Sequence, residues 1–187
     1  VWDMLELDTF WRGRLPSSRK GTSWLNMLKA LVCYRLIDPG SEFRFHREWY
    51  VRSAIGDLLG EDYSLAQKDK AYRCLDLLLE HRDELFGFLK GQWGKLFGAK
   101  YDVLLYDLTS TYFESEPPPA GCDSKKRFGY SRDKRSDCVQ VVVALVLTPE
   151  GFPVAYEVYP GNTRDTATLG EFLNRIEKQY GKFRRTW

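Results

Sequence analysis

The sequence predicts a mixed α+β protein, with helices over residues 1–100 and a β-sheet over residues 101–187. Two observations indicate this fold class. Apolar residues recur at helical spacing in the first part, whereas the second part is rich in β-branched and aromatic residues in short runs. A chain of 187 residues, of which 43% are hydrophobic and 15% aromatic, is also large enough to bury a core. We therefore expect a helical domain at 1–100 followed by a sheet domain at 101–187.

Three segments carry the helical pattern. The first covers residues 24–36, with Ser23 as the candidate N-cap, and the second covers residues 47–60, where Gly60 is a natural stop. Residues 64–97 carry one or two further helices. The first hundred residues are thus predicted to be mostly α.

Three strand-like runs follow, at 101–115, 137–148 and 152–161. A compact turn at 149–151 makes the second and third an antiparallel hairpin. Next comes a predicted helix, beginning at Thr163 or Asp165 and ending at Gly181, and residues 182–187 resemble the start of a fourth strand. Its apolar residues recur at helical spacing at Leu169, Phe172, Leu173 and Ile176. The predicted order is three antiparallel strands, a crossover helix and a fourth strand that returns beside the first.

Composition excludes several classes of protein. The formal net charge is only +2, so any nucleic-acid partner must be recognised by local clusters of charge. The four cysteines lack zinc-site spacing and are expected to be free thiols in a reducing, cytoplasmic setting. No apolar run approaches the ~20 residues of a membrane-spanning helix, and we expect no membrane partner.

Asp107 is the candidate catalytic residue. It lies near the end of an apolar strand, just before three hydroxyl residues at 109–111. Alternation along the strand places it on the face of Val103 and Leu105, which we expect to be buried. A buried carboxylate needs compensation. A metal ion, a lysine or arginine partner, or a cap on the next turn would each provide it.

The loop between the first two strands carries six basic residues within eleven positions, interleaved with Phe128 and Tyr130. Such a cluster suits contacts to phosphates, and the aromatic rings could stack on a base or a sugar. A solvated loop is the alternative. The candidate DNA-binding residues here, called the basic loop below, are Lys125, Lys126, Arg127, Tyr130, Arg132, Lys134 and Arg135.

Two further basic segments are weaker candidates. Arg164 lies in the run 160–165, where Gly161 and Asn162 favour a tight turn, and it is a candidate DNA contact from the end of the third strand. The N-terminal region is a candidate DNA-binding region, although no helix-turn-helix signature is present. Its basic residues are Arg12, Arg14, Arg19 and Lys20.

Three blocks together resemble one family: YDLTSTYFES around Asp107, residues 129–169, and the helix ending in IEKQYGKFRRTW. They are similar to bacterial insertion-sequence transposases of the DDE class, whose catalytic core is RNase H-like. The resemblance implies that Asp107 matches the first acid of the Asp-Asp-Glu set, which binds Mg²⁺. It also implies that the loop pattern around Tyr130, Ser131 and Lys134 positions the substrate strand.

The resemblance further implies metal-dependent DNA cleavage and strand transfer, with transposon ends and target DNA as partners and a homodimer of the full-length parent. In the family the second Asp follows a stretch like FRRTW on the fourth strand, and the Glu comes much later on a helix. We therefore expect this chain to be an inactive fragment that stops before the second Asp. Two alternatives stay open: a non-catalytic or decayed module that binds transposon ends without cutting, and an RNase H-like nuclease that cleaves RNA.

Overall fold

A computed structural model describes residues 1–18, 21–67, 69–101, 103–119, 121–131, 133–163, 170, 172, 174, 176–178 and 184–185. The chain divides into two compact units, Val1–Leu89 and Lys90–Trp187. The first is helical and the second contains the sheet, which confirms the predicted α+β class. The division falls inside a helix, before the boundary that the sequence predicted at residue 100.

The helical unit is built from short helices around one core. The α-helices that the structure describes are α1 Leu7–Trp11, α2 Trp24–Ile37, α3 Glu42–Arg44, α4 Tyr50–Arg52, α5 Ile55–Leu59, α6 Lys70–Leu79 and α7 Arg82–Phe97. A π-helical turn, Phe45–Trp49, joins α3 to α4, and a 3₁₀ turn, Tyr63–Ala66, precedes α6. The side chains of Tyr34, Phe45, Met27 and Leu65 are fully buried in this core.

The caps of the predicted helices are largely confirmed. The Ser23 hydroxyl accepts a hydrogen bond from the Asn26 N–H at the start of α2, and Gly60 ends α5 in a left-handed conformation. The predicted helix over 47–60 is instead broken, because Ser53 adopts an extended conformation between α4 and α5. Helix α1 was not predicted, since five residues are too few for a periodic pattern.

The sheet unit contains β1 Val103–Phe113, β2 Val139–Leu147, β3 Pro153–Pro160 and β4 Arg184–Arg185, in the spatial order β3-β2-β1-β4. Strands β1, β2 and β3 are antiparallel neighbours, whereas β4 runs parallel to β1. Residues 170, 172, 174 and 176–178, between β3 and β4, are helical. The strand order and this helical segment agree with the predicted order of elements. Leu169, Leu173 and Gly181 of the predicted helix lie outside the described residues.

One face of the sheet forms the core of this unit. Leu104 and Leu108 of β1 pack with Phe172 and Ile176 of the helical segment, and these side chains are nearly inaccessible to solvent. The same face of β2 contributes Val142, Ala144 and Val146. The opposite face of β1 is open, and Leu105 on it is 37% exposed.

The C-terminal end of α7 belongs to the sheet unit because of an aromatic stack. The rings of Trp93 and Phe97 lie 5.4 and 5.2 Å from the ring of Phe152, which follows the turn between β2 and β3.

In the part of the chain that the structure describes, no helix is long and apolar enough to cross a membrane.

Candidate nucleic-acid interface and carboxylate

Asp107 lies in the middle of β1 on the open face of the sheet, and its side chain is exposed. This corrects the expectation that its face is buried. The strand is apolar on both faces, and the helical segment covers the face of Leu104 and Leu108 instead. Opposite Asp107 the register places Leu145 of β2, which in turn pairs with Tyr156 of β3. Its carboxylate is therefore presented to solvent from a paired strand.

Asp107 takes part in no ion pair among the residues that the structure describes. The ion pairs seen among the described residues of the loops and strands nearby are those of Lys125 and Arg135, and neither involves Asp107. Thr109 follows on the same face of β1 and is also exposed. The described residues include no cluster of three or more histidine, cysteine, aspartate or glutamate side chains able to hold a metal ion. Asp107 thus offers one hard oxygen ligand, not a complete site.

The basic loop is fastened to the end of the sheet by backbone hydrogen bonds. Arg127 and Gln140 exchange N–H···O bonds of 3.0 and 2.9 Å, and the Gly161 N–H donates to the Lys125 carbonyl at 3.0 Å. The last pair between β2 and β3 is Val141 with Pro160. At the next residue of β2, Gln140, the loop pairs with the strand instead of β3. The loop is consequently part of the sheet edge, not a free excursion.

A buried glutamine strengthens this attachment. Gln140 is 1% exposed, and its side-chain amide donates to the carbonyls of Tyr130 and Gly161 at 2.8 and 2.9 Å. Its Oε1 has no hydrogen-bond partner among the described residues. No role was predicted for Gln140 from the sequence. The available signal was one polar residue within the apolar run VQVVVALVL.

Two glycines allow the loop to approach the sheet this closely. A Cβ atom on Gly129 would lie 1.9 Å from the Gly161 carbonyl oxygen, and one on Gly161 would lie 2.1 Å from the Gln140 carbonyl oxygen. Both distances are far below van der Waals contact. Glycine is required at both positions for reasons of space.

Several predicted DNA-contacting cations are engaged within the protein. The Lys125 ammonium donates to the Val158 carbonyl at 2.8 Å and lies 3.8 Å from the Glu157 carboxylate. The Lys126 ammonium sits 4.3 Å from the centre of the Phe113 ring. Arg127 donates to the Cys122 carbonyl at 3.4 Å. These contacts occupy donor groups of the side chains, and the Glu157 carboxylate partly offsets the charge of Lys125.

Arg135 is committed most strongly. It binds Asp137 through two nitrogens at 2.9 Å, reaches Glu114 at 2.7 Å, and lies over the ring of Tyr112 at 5.0 Å. The hydrogen bond from Arg135 lowers the pKa of Asp137 to about 2, and the two carboxylates raise the pKa of Arg135. The structure therefore gives Arg135 a bracing role between the loop and the end of β1.

Two aromatic side chains of the loop are exposed. Tyr130 is 88% exposed and Phe128 is 52% exposed. Lys134 is also exposed, in a left-handed conformation with φ 58°. Arg132 and Arg164 lie outside the described residues. The exposed part of this interface thus combines two aromatic rings with Lys125, Arg127 and Lys134.

Beside the loop, the end of β1 borders an open depression of about 660 Å³. Its lining is polar and of mixed charge, and Asp107 is not part of it. The lining residues are Ser110, Thr111, Tyr112, Phe113, Glu114, Ser115, Lys126 and Asp133.

Of the N-terminal basic residues, the structure describes Arg12 and Arg14. Arg14 pairs with Glu84 at 2.9 Å and lies over the ring of Phe10 at 4.4 Å, so it helps to hold the helical unit together. Arg12 is exposed, whereas Arg19 and Lys20 lie outside the described residues.

The four cysteines, Cys33, Cys74, Cys122 and Cys138, are free thiols. Burial raises the pKa of Cys74 to about 12, which makes it an unreactive core residue.

No protein-family model, no curated protein and no solved structure matches this chain.

Proposed function

We propose that the sheet unit is the beginning of an RNase H-like domain and that the chain is part of a DNA transposase of the DDE class. The strand order β3-β2-β1-β4, with a helical segment between β3 and β4 and with β4 parallel to β1, is the order with which such a domain begins. The motif blocks around Asp107 and in the basic loop support the same assignment. In this proposal Asp107 is the first metal-binding acid.

The position of Asp107 relative to β4 carries the proposal. Val103 pairs with Arg184 and Leu104 with Arg185 in parallel. Asp107 lies further along β1, in the direction in which both strands run. A carboxylate a few residues after Arg185 on a continuing fourth strand would therefore lie close to Asp107, and two carboxylates on neighbouring strands can share a cation.

The chemistry of Asp107 fits Mg²⁺, which prefers oxygen ligands and binds through one or two carboxylates while it keeps several waters. Bound metal ions in such a site provide an activated water for attack on a phosphodiester and stabilise the leaving oxygen. Asp107 would hold the metal from a strand whose hydrogen bonds to β2 fix the backbone. The remaining carboxylates of a complete site must come from outside the described residues.

A non-catalytic DNA-binding module is the second candidate. The described residues supply one carboxylate for a metal site but a well-anchored loop with exposed Phe128, Tyr130 and Lys134. Such a loop suits nucleic-acid binding without cleavage. A full-length parent or a decayed element could each bind transposon ends in this way.

The test uses the full-length protein translated from the reading frame that contains this chain, with DNA from the ends of the element. We expect DNA binding without Mg²⁺ and strand nicking once Mg²⁺ is added. Asp107→Asn should abolish nicking and leave DNA binding in place. Asp123→Asn, which neutralises an exposed acid in the loop before β2, is the matched control and should nick normally.

Three outcomes contradict the transposase proposal. Binding without nicking by the complete wild-type protein would favour the DNA-binding module. Nicking that persists in Asp107→Asn would remove Asp107 from the reaction. Cleavage confined to RNA strands would instead point to an RNase H-like nuclease.

A further inference from the structure

The basic loop exposes two aromatic side chains beside its charged ones. Tyr130 and Phe128 are 88% and 52% exposed. Over the same stretch, Lys125 and Arg135 are paired with carboxylates, and the Lys126 ammonium lies over a ring. An aromatic ring that is exposed to water is suited to a ligand that packs against the face of the ring.

The backbone that carries these rings is fixed from both sides. Gly129, between Phe128 and Tyr130, is so close to the Gly161 carbonyl that no Cβ fits there. The Tyr130 carbonyl accepts a hydrogen bond from the buried Gln140 amide at 2.8 Å. The backbone of Phe128 and Tyr130 is therefore held in place. Little conformational entropy of the main chain remains to be lost when a ligand binds.

We propose that Phe128 and Tyr130 form a stacking platform for unpaired bases of a DNA strand, and that Gln140 is the positioning residue that holds the platform. This inference rests on the proposed function, because it names the form of DNA that the loop recognises. Lys134 follows Tyr130 in the same loop and is exposed. It supplies the positive charge that attracts the phosphate backbone.

Unpaired bases suit the platform better than a duplex does. Inside duplex DNA both faces of each base are covered by neighbouring base pairs, so a protein ring cannot reach a face without unstacking the helix. In a single strand or a frayed end the faces are accessible, and stacking on tyrosine or phenylalanine tolerates any base sequence. A duplex presents phosphates and base edges to this loop but no uncovered base faces.

The experiment measures binding of the 187-residue chain by fluorescence anisotropy to three probes of about 16 nucleotides. The probes are a single strand, its duplex, and a strand of equal length that lacks bases. We expect the single strand to bind most tightly. Tyr130→Ala should weaken binding of the single strand by about fivefold or more and leave the base-free strand unchanged. Lys134→Ala should weaken binding of all three.

Tyr72→Ala is the matched control, since Tyr72 is a 48% exposed tyrosine on α6 of the helical unit, and it should change nothing. Gln140→Leu tests the positioning role, with thermal unfolding as the check that the variant folds. It should lose affinity for the single strand alone, as Tyr130→Ala does. A Gln140→Leu protein that folds and keeps full affinity would overturn the positioning role.

Failure of the platform and failure of the proposed function give different results. If Tyr130→Ala binds the single strand as tightly as wild type while Lys134→Ala weakens binding, the platform is overturned and DNA binding stands. If the wild-type chain binds none of the three probes, the platform falls together with DNA recognition by this loop.

Discussion

At the scale of single residues, exposure and pairing separate two acids that look alike in the sequence. Asp107 lies within β1, and Asp137 lies just before β2. The structure leaves Asp107 exposed and outside the ion pairs of the loop, whereas Asp137 is held by two nitrogens of Arg135. An exposed carboxylate without a protein cation is available to a metal, whereas a paired one stabilises the fold.

The depressed pKa of Asp137 makes a prediction about acid stability. Its pKa falls from an ordinary 3.8 to about 2, so its contribution to stability is present above about pH 4 and is lost as the pH falls towards 2. We expect Asp137→Asn to be less stable than wild type near neutral pH. The difference in unfolding free energy should shrink to nothing at about pH 2, measured by denaturant unfolding across this range.

Asp107→Asn is the control for this prediction. Because Asp107 is exposed and has no ion pair among the described residues, its replacement should change the unfolding free energy by no more than about 0.5 kcal/mol. A clear fall in stability for Asp107→Asn would show that Asp107 is a structural ion-pair partner. A difference for Asp137→Asn that persists unchanged at acid pH would contradict the pairing with Arg135.

At the scale of elements, the basic loop behaves as an extension of the sheet. The hydrogen bonds between Arg127 and Gln140 continue the edge of β2 where β3 stops, and Gln140 joins the loop to the turn after β3. Sequence patterns predicted the three strands. For the loop they indicated a cluster of basic residues but not its attachment to the sheet. The attachment depends on residues far apart in the chain, which no local pattern reveals.

Gly129→Ala tests this attachment. The added methyl group would collide with the Gly161 backbone carbonyl, which cannot move without breaking its hydrogen bond from Gln140. We expect the variant to lose about 1–3 kcal/mol of stability, the usual cost of overpacking, in denaturant unfolding followed by circular dichroism.

Gly94→Ala is the matched control in the same unit. Gly94 lies in α7 with open space where a Cβ would go, so alanine there should raise stability by up to about 1 kcal/mol through helix propensity. Equal stability of Gly129→Ala and wild type would mean that the loop is not packed against the turn after β3.

At the scale of the whole chain, the open face of the sheet unit is the most consequential feature. Leu105 lies on this face, and the register adds Leu145 and Val143 of β2, each partly exposed. Apolar side chains left uncovered on a sheet favour association with another apolar surface. The face also carries Asp107, so whatever covers it must leave that carboxylate accessible if the protein is catalytic.

We expect the 187-residue chain to associate with itself through this face. Leu105→Lys should lower the weight-average mass in sedimentation velocity without lowering the melting temperature, because the side chain is already 37% exposed. Leu104→Lys, on the buried face at 4% exposure, should instead unfold the sheet unit. An unchanged mass distribution for Leu105→Lys would exclude the open face as the contact.

The sequence by itself determined the α+β class, the caps at Ser23 and Gly60, and the order of three strands, a helical segment and a fourth strand. These features depend on local spacing and capping, which neighbouring residues fix. Only the tertiary structure decided which face of β1 is buried. Apolar residues occur on both faces of that strand, and the buried face is the one against which the helical segment packs. It also decided which basic residues of the loop stay available, since their partners Glu157 and Glu114 are remote in sequence.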